Sequence, residues 1–196
     1  TWIYLVLLRP TDWESVAGST EALITLAGYL VGAALLLTGT VPALPARTIA
    51  IIPVALVLNI VVGEIIGSIG VPLYIDSVGT ILVAALAGPI AGLATGTLSS
   101  VVWGLLNPAA LPFAAVSAAT GFLSGLVIKK GAFTKVWWVI LSGAIIGIIS
   151  GMLAAPVAAF VYGGTAGLGT GAVVSLFREL GNSLIASVTL LSLIHI

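Results

Sequence analysis

No charged residue occurs between Asp76 and Lys129, yet this run is too interrupted to form one continuous lipid-facing helix. It opens with Pro72-Leu-Tyr-Ile-Asp76-Ser-Val-Gly-Thr80, passes through Gly88-Pro89 and Asn107-Pro108, and closes on Lys129-Lys130. Backbone polar groups in hydrocarbon must be satisfied internally, so only helices are expected between these breaks. An acid at the mouth of a short apolar segment, followed by broken helices, suggests a membrane protein that surrounds something. A simple anchor would not need the breaks.

Composition agrees with that solvent. Charged residues make up 6% of the chain, hydrophobic residues 60%, and the mean hydropathy is +1.31. Soluble domains carry roughly 25% charged residues, so a chain this poor in charge could not cover itself with a wetted surface. The net charge is zero, which argues against nucleic acid as a partner, and the absence of cysteine excludes disulfides and thiolate metal sites. Thr1 to Leu8 is apolar, with neither an initiating Met nor a basic leader, and reads as a start inside a helix. The end, Leu191-Ser-Leu-Ile-His-Ile196, resembles a translated sequencing adapter; the alternative is a genuine apolar helix end. His195, the only histidine, is assigned no function on either reading.

A bilayer span needs about 20 mostly apolar helical residues. Expected spans are Ala22–Gly39, Thr48–Ile69, a short one at Ile75–Ala87, Pro89–Leu106, Pro112–Ile128 and Val136–Val161. Gly163–Gly171 is a glycine-rich loop, Ala172–Leu180 a candidate interfacial helix, and Asn182 onward a final span that is cut short. This count places Arg47, Lys129, Lys130 and Lys135 on one side, which the positive-inside rule makes cytoplasmic, and Asp12, Glu14, Glu21, Asp76 and Glu179 on the other, with Arg9 and Arg178 as basic exceptions there. The connections at Gly67–Tyr74, Asn107–Leu111 and Tyr162–Gly181 then face outward.

Two stripes of small residues recur every four positions: Gly88, Gly92, Gly96, Ser100 and Gly104, and Gly143, Gly147, Gly151, Ala155 and Ala159. Such stripes let helix backbones approach closely where lipid supplies no hydrophobic drive. Internal packing is the expected use, and docking of a separate membrane partner the alternative.

The residues able to carry chemistry are few. Thr95, Ser99, Trp103 and Asn107 share one helix face, with Trp103 and Asn107 at its outward end. An aromatic ring beside an amide suits the holding of a flat polar ring; an interfacial Trp and an Asn-Pro turn is the plainer alternative. Glu64 and Asp76 flank the connection after Thr48–Ile69, and ionisable groups in membrane segments usually face a cavity or a partner. Asn59, about one turn below Glu64, completes a candidate polar wall. Asp76 is also placed to cap a helix start, a role compatible with ligand contact, and Glu64 could instead snorkel at the surface. The loop Tyr162-Gly-Gly-Thr-Ala-Gly-Leu-Gly-Thr-Gly171 lacks the lysine of a phosphate-binding loop and reads as a segment folding over a site. Arg178 and Glu179 follow it and, as neighbours in sequence, do not share a helix face. No metalloprotease motif, thiol or nucleotide motif is present, so the chain is expected not to be an enzyme, and any ATP would be used by another chain.

Three blocks together resemble the substrate-binding S components of energy-coupling factor (ECF) vitamin transporters, in the branch associated with hydroxymethylpyrimidine or pyridoxine-type substrates. They are Pro72-Leu-Tyr-Ile-Asp-Ser-Val-Gly-Thr-Ile-Leu-Val-Ala-Ala-Leu-Ala-Gly-Pro89, Asn107-Pro-Ala-Ala-Leu-Pro-Phe113 and Gly163-Gly-Thr-Ala-Gly-Leu-Gly-Thr170. The resemblance covers roughly residues 47–190 and implies an all-α integral membrane protein built as a six-helix bundle. Residues 1–46 would be an extra N-terminal transmembrane region, the last core helix would be truncated, and 191–196 would be the adapter-like tail. It further implies a vitamin or vitamin-precursor pocket near the outer surface, closed by a lid at Gly67–Tyr74. Asn59, Glu64, Tyr74, Asp76, Trp103, Asn107, Tyr162 and Arg178 are the expected substrate contacts. The implied partners are a transmembrane T component and two ATPase subunits, in a prokaryotic cytoplasmic membrane. One departure is visible: where the family has an Ala-x-x-x-Ala docking pattern, this chain has Ile51 four residues before Ala55, with Pro53 between. A stand-alone secondary transporter or channel, or an intramembrane enzyme, is the competing expectation.

Overall fold

The computed structural model describes residues 20–69, 75–162 and 179–181. Among the described residues the chain is all-α. Its helices are α1 (Thr20–Thr40), α2 (Ala46–Ser68), α3 (Val78–Ala87), α4 (Pro89–Leu106), α5 (Ala114–Lys129) and α6 (Val136–Tyr162). Short 3-10 turns at Val41–Ala43, Pro108–Phe113 and Ala132–Thr134 join them. The expected spans match these bounds to within a few residues. The glycine-rich loop, the last span and the adapter-like tail lie outside the described residues, as does nearly all of the candidate interfacial helix.

Among the described residues, four stretches are long and apolar enough to cross a bilayer: Ala46–Ile66, Pro89–Leu106, Ala110–Lys129 and Val136–Ala155. Large apolar side chains such as Leu35, Val54, Leu86, Trp137 and Met152 are exposed around the outside. The interior, in contrast, holds Asn59, Thr80, Thr95, Thr97, Ser99 and Ser100. Apolar side chains outside and hydrogen-bonded polar groups inside are the arrangement lipid favours. The molecule is a multi-pass membrane bundle.

Close backbone approach organises it. A Cβ at Gly92 would overlap the Gly121 carbonyl, one at Gly96 the Ser117 carbonyl, and one at Gly125 the backbone of Pro89. These pairs run in opposite directions along the two helices, so α4 and α5 are antiparallel, with a Ser100–Ser117 hydroxyl bond of 2.9 Å between them. On the other side, Gly79 of α3 sits against the Ala55 carbonyl of α2. Ile52, Ala55, Leu56, Val83 and Ala91 form the apolar core there. Ala55 is therefore spent inside the bundle, not on a docking surface. α1 packs on α4 and α5, burying Tyr29 and Ala33.

The two small-residue stripes serve internal packing over most of their length. Gly92, Gly96, Ser100 and Gly104 face α5 or the turn before it. Gly88 meets α5 through its backbone, beside Gly125, and has a second role: it stands between α3 and α4 at φ 89°, a conformation open to glycine, and Pro89 follows as the first residue of α4. In α6, Gly147, Gly151 and Ala155 are buried, and α5 is bound there by a 2.8 Å Thr120–Ser150 hydroxyl bond. Gly143 is exposed, with nothing near its Cβ position.

Among the described residues, the basic side chains gather at one end. Pro89 lies beside Gly125, one turn from Lys129, while the far ends of α2 and α4 meet through Glu64 and Trp103. Arg47, at the start of α2, therefore shares an end with Lys129 and Lys130, and Glu64 and Trp103 lie at the opposite end.

Candidate functional site

α3 has 10 residues, about 15 Å of helix at 1.5 Å per residue, half the thickness of a hydrocarbon core. In its first turn Gly79 and Thr80 are buried within the bundle, where free backbone N–H groups need partners. Asn59 of α2 provides one. Its Oδ1 accepts the Gly79 N–H at 2.7 Å, and its Nδ2 donates to Thr80 Oγ1 at 2.8 Å and Ser99 Oγ at 3.1 Å. Asn59 is fully buried, with both ends of its amide engaged, and ties three helices together.

This arrangement corrects the expected cap. Asp76 does not occupy the N-cap position of α3; Ser77 does, with no side-chain capping bond. The Ser77 hydroxyl donates to Asp76 Oδ1 at 3.2 Å instead. An acid two residues before a helix satisfies the sequence pattern for a cap, but the chain path turns its carboxylate aside and the amide of a neighbouring helix takes the bond.

Five residues along α2 from Asn59, the ends of α2 and α4 meet. The indole Nε1 of Trp103 donates to Glu64 Oε1 at 2.6 Å, a charge-assisted bond that fixes the ring. Gly63 makes room for it: a Cβ there would stand 2.6 Å from Trp103 Cη2 and 3.2 Å from Asp76 Cβ. Glu64, Trp103 and Asp76 thus converge on one glycine. Glu64 is exposed, while Trp103 and Asp76 are half-buried. Withdrawal from water raises the Asp76 carboxyl above its ordinary range, against the opposing effect of its backbone hydrogen bond and the Ser77 hydroxyl.

The polar stripe of α4 divides by depth. Thr95 and Ser99 are buried, Thr95 donating to its own helix at Ala91 O (2.8 Å) and Ser99 receiving Asn59. Trp103 and Asn107 occupy the accessible end. Asn107 is exposed and closes α4, its N–H bonded to Trp103 O at 2.8 Å and its own carbonyl accepting Ala110 N–H at 2.9 Å.

The structure therefore brings together Glu64, Asp76 and Trp103, keeps Asn107 one turn away, and sets Asn59 beneath them inside the bundle. Tyr74 and Arg178 lie outside the described residues, as do residues 70–74 of the expected lid and the side chain of Tyr162, the last residue of α6. Gly63 and Thr80 are members of the constellation that sequence reasoning missed. Gly63 had a signal in its position beside Glu64; the pairing of Thr80 with Asn59 had none. Among the described residues, no group of three or more Asp, Glu or His stands together as a metal ion would require. Two carboxylates and an aromatic ring offer hydrogen-bond acceptors beside a stacking face, a combination suited to a flat ligand bearing N–H or O–H donors. Compared with family models, curated proteins and solved structures, the chain gives no match.

Proposed function

We propose that this chain is the substrate-binding subunit of an ATP-driven ECF-type transporter, taking up a vitamin or vitamin precursor with a hydroxymethylpyrimidine- or pyridoxine-like ring. The observation that carries this reading is the Trp103–Glu64 hydrogen bond, with Asp76 beside it across Gly63. It holds an aromatic face and two carboxylates at the bundle end opposite Arg47, Lys129 and Lys130, the outer end by the positive-inside rule. The motif blocks of the sequence support the same reading. The chain acts by binding and release, without catalysis, and a T component with two ATPases supplies the energy. The membrane is the cytoplasmic membrane of a prokaryote. Titrating purified protein with thiamine precursors, pyridoxine forms and riboflavin tests the proposal. Tight binding of one is expected, and a folded protein that binds none of them rejects it.

A second reading draws on Asp76. A half-buried carboxyl with raised proton affinity is also the equipment of an ion-coupled secondary transporter. Uptake by cells that lack any T component and its ATPases would favour that reading.

A further inference from the structure

We propose that the turn between α5 and α6 binds the headgroup of an anionic phospholipid, its phosphate held by Lys129, Lys130 and Lys135 and its glycerol and upper acyl chains by the aromatic side chains beside them. All three lysines are exposed. Asp76 and Glu179 are the nearest acids in sequence on either side, and Asp76 lies at the opposite end of the bundle, beside Gly63 and Trp103. Among the described residues no carboxylate is paired with any of the three. The turn that carries them is preformed. Gly131 takes the left-handed conformation at φ 89°, and its carbonyl accepts both the Thr134 hydroxyl at 2.7 Å and the Thr134 N–H at 3.0 Å. Ala132 is buried and anchors the turn on the bundle. A ligand arriving here has little backbone left to order.

Depth and charge select the partner. Lys129 is the last residue of the apolar stretch Ala110–Lys129, and Lys135 immediately precedes the stretch Val136–Ala155. The lysines therefore stand where hydrocarbon gives way to headgroups, and basic residues at that level attract anionic lipid. Phe133, Trp137 and Trp138 beside them are 56%, 80% and 54% exposed, as aromatic rings at the membrane interface are. Trp137 and the exposed Leu141 lie one turn apart on α6, so the aromatic surface runs on into the lipid-facing side of the span. A phospholipid covers both parts, its phosphate on the lysines and its chains along α6. An acidic protein in the aqueous phase would reach the lysines alone.

The test uses micelles holding equal amounts of phosphatidylglycerol and phosphatidylcholine with the same acyl chains, and native mass spectrometry to count the lipid each protein retains. Wild type is expected to keep about tenfold more phosphatidylglycerol than phosphatidylcholine. Lys129→Gln, Lys130→Gln and Lys135→Gln combined should remove that preference, and the three corresponding Arg substitutions should preserve it. Circular dichroism should be unchanged in both, because the side chains are exposed. Arg47→Gln controls for charge at the same end of the bundle: Arg47 stands on α2, which packs on α3 and α4, and its loss should leave the preference intact. Trp137→Ala should lower retention of phosphatidylglycerol several-fold, and millimolar inorganic phosphate should not displace the lipid. Equal retention of both lipids by wild type, the result a docking face for an acidic protein would give, overturns the proposal. So does a triple Gln variant that keeps the preference, an Arg47→Gln variant that loses it, a Trp137→Ala variant that retains lipid like wild type, or displacement by inorganic phosphate.

Discussion

Asn59 caps a helix other than its own: its Oδ1 accepts the Gly79 N–H at 2.7 Å, so α2 closes the buried first turn of α3. The same amide bonds Thr80 and Ser99, which makes it the joint on which α2, α3 and α4 are registered. Glu64 lies five residues further along α2, so the position of the candidate site depends on that joint.

Replacing Asn59 by Ala leaves the Gly79 N–H without its acceptor and the Thr80 and Ser99 hydroxyls without their donor. Each unsatisfied buried group costs about 1–3 kcal/mol, and Asn59→Ala is expected to lower the unfolding midpoint strongly in detergent. Asn59→Asp should be no better, since it keeps the acceptor but loses both donated bonds and buries a charge. Denaturant titration followed by circular dichroism measures both.

The glycine contacts predict opposite signs at different positions. Gly92→Val, Gly96→Val and Gly121→Val force α4 and α5 apart, and overpacking of this kind costs about 1–3 kcal/mol or more. Gly143→Ala meets nothing within 4 Å and lies inside α6, so it should stabilise the helix by about 0.5–1 kcal/mol. Parallel thermal melts of these variants separate close contact from mere glycine content.

At the site, Trp103→Phe keeps an aromatic face and removes the donor to Glu64, whereas Trp103→Ala removes both. With the ligand found by the screen above, we expect affinity to fall about tenfold for Trp103→Phe, a loss of about 1.4 kcal/mol, and further for Trp103→Ala. Glu64→Gln should retain the bond to Trp103 through its amide oxygen yet weaken the ligand. Calorimetric titration checks the order, and a Trp103→Ala protein binding like wild type would remove the indole from the site.

The carboxyl of Asp76 gives a pH dependence of definite sign. Its folded-state pKa is raised, so the folded protein holds this proton more tightly than the unfolded chain. The resulting stability is fully present below the unfolded value of about 3.9 and is lost as pH rises through the folded pKa. Asp76→Asn should flatten that slope and leave the protein at least as stable as wild type above it. Unfolding midpoints across the acidic range, wild type against variant, test the sign.

Much of the architecture was legible because lipid imposes strong rules. Uninterrupted apolar runs had to be helices, Gly88-Pro89 and Asn107-Pro108 had to be breaks, and the spacing of Gly92, Gly96 and Ser100 announced a close helix contact. Arg47, Lys129, Lys130 and Lys135 were assigned to one end from the span count alone, and the antiparallel pairing of α4 and α5 agrees. Of the candidate site, Glu64, Asp76 and Trp103 were each marked as costly or amphipathic residues in an apolar setting. Local pattern did not reveal that they meet at Gly63.

What the sequence determined by itself was the solvent, the helices and the breaks between them, since these depend on hydropathy and backbone chemistry over short distances. The tertiary structure decided which partner each buried polar group received. Asp76 stands where a cap belongs, yet the cap comes from Asn59; Tyr29 reads as an ordinary aromatic in a span, yet its buried hydroxyl faces no partner among the described residues. Hydrogen bonds between helices depend on their rotation and depth, and those are set only when Gly79 closes on Ala55 and Gly92 on Gly121.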